Sequence, residues 1–170
     1  EIHEQPTAVK TTITPRISGN LPCLEECGVT AEALKDINQV YIVACGTAMH
    51  AGVVGKYVIE KLARVPVYVD IASEFRYRDP IINKNDVMIV ISQSGETADT
   101  LAALRLAKKR GVKIIGIVNA VGSSIARESD ICLYTWGGPE IAVASTKAYS
   151  VQVAMMYLVA FKLALLNGSI

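Results

Sequence analysis

Three hydroxyl side chains fall within six residues in the segment from Ser92 to Thr97, which reads SQSGET. The segment follows an uninterrupted apolar run and precedes residues with helical spacing. Gly95 lets a ligand approach the backbone, and the N-terminus of a helix offers free N–H groups with a partial positive charge. Capping a helix takes one hydroxyl, whereas three hydroxyls together with Gln93 suit an anion. The pattern predicts a phosphate-binding loop, with a simple turn and helix cap as the alternative.

A second candidate for the same ligand is the segment Cys45, Gly46 and Thr47, which follows the first predicted strand. Gly46 permits a tight turn, and Thr47 offers a hydroxyl that either reaches the ligand or caps the next helix. An ordinary turn is the alternative. A nucleophilic role for Cys45 is disfavoured because no histidine base is identifiable, and His50, one turn into the helix, stays unassigned.

The third candidate is the segment from Val143 to Lys147, which opens the last predicted helix. Ser145 or Thr146 is expected to cap that helix. The backbone amides at this helix start could also bind a ligand hydroxyl.

Composition bounds the class of protein. With 170 residues, 51% hydrophobic and 19% charged, the chain suits one domain with a sizeable core. A net charge of +1 creates no broad electrostatic field, so we expect neither a nucleic-acid nor a membrane partner.

The four cysteines show no pairing framework, and the spacing of Cys23 and Cys27 does not suit zinc. The absence of a secretion signal favours the cytoplasm. Neither the G-x-G-x-x-G pattern nor Gly-Lys-Ser/Thr occurs, which argues against dinucleotide and P-loop binding.

Short apolar runs alternate with helical patterns along the middle of the chain. Strands are predicted at Val40–Cys45, Val67–Ile71, Val87–Ile91, Val112–Val118 and Ile131–Tyr134. Helices are predicted at about residues 47–64, 97–110 and 123–129, with a polar turn at 73–80 and Gly111 in the C′ position of the second helix. This alternation predicts an α/β fold with a doubly wound, mostly parallel sheet flanked by helices. Ligands of such sheets bind beyond the carboxyl ends of the strands, where the loops at Cys45, Ser92, Asn119 and Thr135 begin.

The two ends of the chain differ from this pattern. Residues 1–20 are polar with Pro6 and Pro15, which predicts a linker or surface arm before a domain at 21–170. From Ser145 an apolar helix runs to about Leu166, interrupted by Gln152 and Lys162. A membrane span is the less favoured interpretation, and a helix buried against another domain or subunit is preferred. Because the chain opens on Glu1 rather than Met, we expect a piece of a longer polypeptide.

Taken together, four motifs resemble the isomerase part of the glutamine:fructose-6-phosphate aminotransferase family, also called glucosamine-6-phosphate synthases. They are CGT at Cys45, SEFRY at Ser73, SQSGETADT at Ser92 and VASTKA at Val143. The opening EIHEQP is similar to the linker that follows the family's glutaminase domain. The resemblance implies that the chain is the first of two sugar isomerase (SIS) domains, with a flavodoxin-like or Rossmann-like fold.

The resemblance also implies a set of substrate-binding residues. Ser92, Ser94 and Thr97 would hold the sugar phosphate, and the remaining contacts would come from Cys45, Gly46, Thr47, Ala48, Gln93, Val143, Ala144 and Ser145. Ala48 departs from the serine that the family commonly has there. One phosphate donor would therefore be absent or replaced by the backbone amide of Ala48.

The implied reaction makes glucosamine 6-phosphate from fructose 6-phosphate and ammonia released from glutamine, without metal or cofactor. The family's acid and base groups belong to the second SIS domain and the C-terminal tail, so no catalytic residue is expected here. The resemblance further implies that turnover needs the missing glutaminase and second SIS domains. The apolar final helix indicates a homodimer or docking of the missing domain. Two alternatives stay open: a sugar-phosphate-sensing SIS module of a transcription regulator, and an SIS-type deglycase or simple isomerase.

Overall fold

A five-stranded parallel sheet forms the centre of the protein. The computed structural model describes residues 1–34 and 36–170. A short hairpin pairs the two-residue strands β1 (Ile17–Ser18) and β2 (Leu21–Pro22). The strands of the central sheet are β3 (Val40–Ala44), β4 (Val67–Ile71), β5 (Val87–Ser92), β6 (Lys113–Val118) and β7 (Ile131–Tyr134). The helices are α1 (Gln5–Ile13), α2 (Gly46–Leu62), α3 (Ala72–Phe75), α4 (Ala98–Lys109), α5 (Ser124–Glu128) and α6 (Lys147–Leu166). All five predicted strands are confirmed.

The strand order of the sheet is β4-β3-β5-β6-β7, and every neighbouring pair is parallel. From β3 the chain crosses to β4 on one side, and β5 then returns to the other side of β3. The gap between the carboxyl ends of β3 and β5 is therefore the switch point at which open α/β sheets bind ligands. The predicted doubly wound fold is confirmed.

Alternate residues of each strand enter two separate cores, one on each face of the sheet. In β5, for example, Ile89 and Ile91 face the core shared with α2 and α6, whereas Met88 and Val90 face the core shared with α3, α4 and α5. Because both faces are covered, every residue of β5 is buried. This double burial explains the uninterrupted apolar runs.

Close packing fixes α2 between the sheet and α6. A Cβ atom added at Gly52 would lie 2.7 Å from Ile42 Cγ2, and one added at Gly55 would lie 2.3 Å from Met156 Cε. Only the absence of a side chain lets the helix approach both neighbours this closely. The start of α2, which carries Thr47 and Ala48, is thereby held beside the switch point.

Three expectations about element ends are corrected by the structure. In addition, the segment 1–20, expected as a linker or surface arm, contains helix α1, which packs along α6. Thr47 does not cap α2, since the N-cap is Cys45. The last helix begins at Lys147 with Thr146 in the N-cap position, but neither Ser145 nor Thr146 caps it with its side chain. The turn at 73–80 overlaps the short helix α3. By contrast, Gly111 adopts the left-handed conformation expected after α4, with φ of 78°.

Helix α6 is buried mainly inside its own domain rather than against another one. Among the described residues it is the one helix long and apolar enough to suit a membrane span, but most of it is buried against α2 and α1. Only an outer strip that includes Tyr157 and Phe161 is exposed. Its apolar composition is therefore explained by the core.

A buried cation joins α6 to the segment that precedes β3. The Lys162 ammonium, with 6% of its side chain exposed, donates to the carboxylate of Glu25, which is 52% exposed. This hydrogen bond is the largest cause that lowers the pKa of Glu25 to about 2. Removing the carboxylate would leave the ammonium buried without a partner.

We predict that Glu25→Gln lowers the stability of the protein at pH 7 and makes that stability less dependent on pH in the acid range. A carboxyl with a depressed pKa stabilises the fold above its unfolded value of about 4.3, and this contribution is lost as the pH falls towards 2. Urea unfolding midpoints at pH 7 and pH 3 measure the effect. The control Glu26→Gln changes a neighbouring exposed carboxylate that makes no ion pair in the described part of the chain. Equal pH dependence in both variants would contradict the prediction.

Candidate functional site

A cleft of about 270 Å³ opens at the switch point between β3 and β5. Its lining residues come from the start of α2, the end of β5 with the following loop, and the segment that leads into α6: Cys45, Thr47, Ala48, Ile91, Ser92, Gln93, Ser94, Thr97, Glu140, Ala142, Val143, Ser145 and Gln152. A larger groove of about 650 Å³ lies beside Val65, at the amino-terminal edge of the sheet, and contains none of the predicted residues.

Most of the residues predicted from sequence meet in this cleft. All three candidate segments contribute, and among the predicted residues only Gly46 and Ala144 do not line it. Both lie within the contributing segments. The tertiary structure thus brings together residues that are up to 100 positions apart in sequence, from Cys45 to Ser145.

The loop from Ser92 to Thr97 is organised by its own hydroxyl groups. The Ser92 and Thr97 hydroxyl oxygens lie 2.9 Å apart, and Ser92 Oγ accepts a hydrogen bond from the Gly95 amide at 3.0 Å. Ser94 Oγ accepts from the Glu96 amide at 3.2 Å. The Ser92–Thr97 contact uses one of the three hydroxyl hydrogens, so two remain to donate to a ligand.

The same loop is fixed against the start of α5. Gly95 has φ of 66°, and a Cβ atom there would lie 2.0 Å from Ser123 Oγ. The Glu96 carboxylate accepts from the Ser124 amide at 2.7 Å, and this hydrogen bond is the main cause that lowers the pKa of Glu96. The negative charge of Glu96 is therefore held outside the cleft lining, where it does not oppose an anion.

Across the cleft, α2 begins directly after β3. Gly46 has φ of 58° and turns the chain into the helix. Thr47 is exposed in the first turn, whereas Ala48 is buried at 8% exposure. The N–H groups of this first turn have no partner within the helix and are available to an anion.

The titratable groups of the cleft lining are few. Cys45 Sγ lies 4.0 Å from the Thr100 hydroxyl, and the lining contains no histidine. His50 is exposed and is not among the lining residues. Across residues 1–34 and 36–170, no group of three or more histidine, cysteine or acidic side chains could hold a metal ion.

Glu140, which sequence reasoning missed, organises the third wall of the cleft. Its Oε1 accepts from the Thr146 and Ala148 amides at 2.8 and 3.1 Å, and its Oε2 accepts from Ser145 Oγ at 3.0 Å. A carboxylate from outside the helix thus caps α6, favourably placed at the positive end of the helix. No local spacing rule could have indicated it, because the carboxylate lies six residues before the N-cap.

Gln152 is another lining residue that sequence reasoning did not assign to the site. The sequence did carry a signal, since Gln152 interrupts the apolar pattern of α6. Its side chain is 3% exposed and borders the cleft.

Comparisons with known proteins agree with this geometry. The glutamine–fructose-6-phosphate aminotransferase [isomerizing] of Clostridium tetani is 62% identical over 171 residues, which cover 100% of this chain and 28% of that protein. The Clostridium acetobutylicum protein of the same name is 65% identical over 159 residues, covering 93% and 26%. The chain therefore spans little more than a quarter of the length of these relatives.

A solved structure of a protein with a related name is also similar to this chain. The C-terminal domain of glucosamine-fructose-6-phosphate aminotransferase from Francisella tularensis superposes with a TM-score of 0.93 at 44% identity, over 99% of this chain and 47% of that one. The resemblance expected from the motifs is confirmed. Residues 33–162 match the SIS domain family. On this match, and on the flavodoxin-like strand order with its cleft at the switch point, the chain belongs to the SIS domain family.

Proposed function

We propose that the chain is the fructose 6-phosphate-binding part of a glutamine–fructose-6-phosphate aminotransferase, an enzyme of amino-sugar biosynthesis. The observation that carries the proposal is the convergence of hydroxyl donors and two helix N-termini, those of α2 and α4, on one cleft. This arrangement suits a phosphate monoester. The relatives named for that activity align with nearly the whole chain.

In this proposal the phosphate binds between the Ser92–Thr97 loop and the first turn of α2. The Ser94 hydroxyl and one of the Ser92 and Thr97 hydroxyls donate to it, with further contacts from Gln93 and the amides near Thr47. The Ala48 amide at the start of α2 serves in place of a side-chain hydroxyl. The sugar then extends towards Val143 and Ser145 on the third wall.

The chain positions the substrate, and the groups that transfer protons come from elsewhere in the longer protein. The acidic group that lines the cleft, Glu140, already accepts three hydrogen bonds within the loop that it caps. A general base needs a free site within reach of the proton that it removes. The segment of residues 1–20, in turn, connects the domain to a preceding glutaminase.

We also propose that the protein is a cytoplasmic homodimer. Support for the compartment comes from the four cysteines, all of which are free thiols. Support for the dimer comes from an apolar groove of about 460 Å³ beside the exposed strip of α6, where Tyr157 and Phe161 stand next to Leu21 and Ile170. Exposed apolar surface of this kind marks interaction sites.

We predict that Ser94→Ala weakens binding of both fructose 6-phosphate and inorganic phosphate. Loss of one hydrogen bond to a charged group reduces affinity by roughly tenfold to a hundredfold. Isothermal titration of the protein with each ligand measures the change. Ser18→Ala, which removes an exposed hydroxyl in β1, is the control and should bind as the wild type does. Unchanged affinity of Ser94→Ala for both ligands would contradict the assignment of this loop as the phosphate-binding site.

A second prediction concerns turnover. The 170-residue chain, supplied with fructose 6-phosphate and ammonia, should form no glucosamine 6-phosphate, because it lacks the proton-transfer groups. The full-length protein that contains it should form the product from fructose 6-phosphate and glutamine. Product formation by the chain at the full-length rate would show that the chain supplies its own acid and base.

The dimer proposal predicts that Phe161→Glu weakens self-association by roughly tenfold or more, because a charge would be buried in the apolar contact. Sedimentation velocity over a range of protein concentrations measures the association. Tyr57→Glu places the same charge on the exposed face of α2, outside the groove, and should leave association unchanged. Identical sedimentation of the wild type and both variants as monomers would refute the dimer.

A further inference from the structure

Gln152 presents a polar group that the fold itself does not use. The side chain is 3% exposed on α6, and its Oε1 atom is buried without a hydrogen-bond partner among the described residues. A buried carbonyl without a partner destabilises a protein, because it has lost its hydrogen bonds to water. The group therefore needs a partner that the folded chain does not supply.

The surroundings of Gln152 show that packing alone does not require an amide. Its buried neighbours along α6 include Val151, Met155 and Met156, all apolar. An apolar side chain of the same length would fill the position without leaving an unpaired carbonyl. The same residue also borders the cleft, so a ligand in the cleft can provide the missing donor once the terminal amide turns its carbonyl towards it.

Hydrogen-bonding groups are distributed unevenly along the cleft. The end formed by the Ser92–Thr97 loop and the two helix N-termini is rich in donors, which suits a phosphate. The third wall carries acceptors, but the Glu140 carboxylate is occupied by Ser145, Thr146 and Ala148. The Gln152 carbonyl remains as the acceptor without a partner, and a sugar hydroxyl is a donor that matches it.

We propose that Gln152 is a specificity-determining residue whose side-chain carbonyl accepts a hydrogen bond from a hydroxyl of the bound sugar phosphate. The inference rests on the proposed function, because it requires the phosphate to bind at the Ser92–Thr97 loop. Under it, the loop selects phosphate monoesters in general, and Gln152 selects those with a hydroxyl-bearing chain. In this proposal, inorganic phosphate bound at the loop does not make this contact.

The test is the Gln152→Met variant, which keeps the length of the side chain and removes its polar atoms. Titration calorimetry measures the affinities for fructose 6-phosphate, for inorganic phosphate and for a series of deoxy analogues that each lack one hydroxyl. Thermal unfolding without ligand measures the effect on the fold. Gln39→Met is the matched control, because Gln39 is half-buried outside the cleft and its amide donates to Asp86 at 3.1 Å.

We expect Gln152→Met to bind fructose 6-phosphate about fivefold to tenfold more weakly and inorganic phosphate as the wild type does. Its unfolding midpoint without ligand should be equal to or above that of the wild type, because no internal hydrogen bond is lost. One deoxy analogue should bind the variant and the wild type equally, which would identify the contacted hydroxyl. Gln39→Met should lose stability and keep both affinities.

Three outcomes would overturn the inference. Unchanged affinity of Gln152→Met for fructose 6-phosphate would show that the contact does not form. An equal loss of affinity for both ligands would show that Gln152 contacts the phosphate instead of the sugar. A lower unfolding midpoint without ligand, or loss of folding both here and in Gln152→Asn, would show a structural role. A wild-type protein that binds neither ligand would instead overturn the proposed function, and the inference with it.

Discussion

The parallel pairing of β3 with β5 is the constraint on which the rest of the structure depends. Ala44 and Ile91 lie side by side at the carboxyl ends of these strands, so the loops that follow them must begin at the same place. Since parallel strands require crossover connections, the helices that begin there, α2 and α4, direct their N-termini to that place as well. One register therefore creates the cleft and brings the free N–H groups of two helix N-termini to it.

The cleft is kept in shape by polar groups on its walls, before any ligand binds. In the loop after β5, the hydroxyls of Ser92 and Ser94 accept from backbone amides, and Glu96 is drawn away to Ser124. On the third wall, Glu140 holds the start of α6. Because these groups already have their partners, little ordering remains for a ligand to impose.

Helix α6 links the cleft to the core and to the outer surface. Its first turn is held by the wall that Glu140 organises, its middle is buried against α2, and its outer strip exposes Tyr157 and Phe161. The lysines inside this apolar helix are explained by carboxylate partners, Glu4 for Lys147 and Glu25 for Lys162. Gln152 is the polar group on the helix whose acceptor has no such partner in the described chain.

The sequence alone determined the strands, the doubly wound fold and the hydroxyl-rich loop at Ser92, because each rests on local signals: apolar runs, hydroxyl spacing and the position of Gly95. Local signals failed where packing decides. The polar segment at residues 1–20 becomes helical because α6 offers a surface for α1, and Cys45 replaces Thr47 as the N-cap because Gly46 turns the chain first.

Only the tertiary structure could assign Glu140 and Gln152 to the cleft. Glu140 acts on amides six and eight residues away in sequence, and Gln152 borders the site from within an otherwise apolar helix. In both cases the role of the side chain is set by neighbours that the fold brings close. Gln152 is marked in the sequence only as a break in an apolar pattern, and Glu140 is not marked at all.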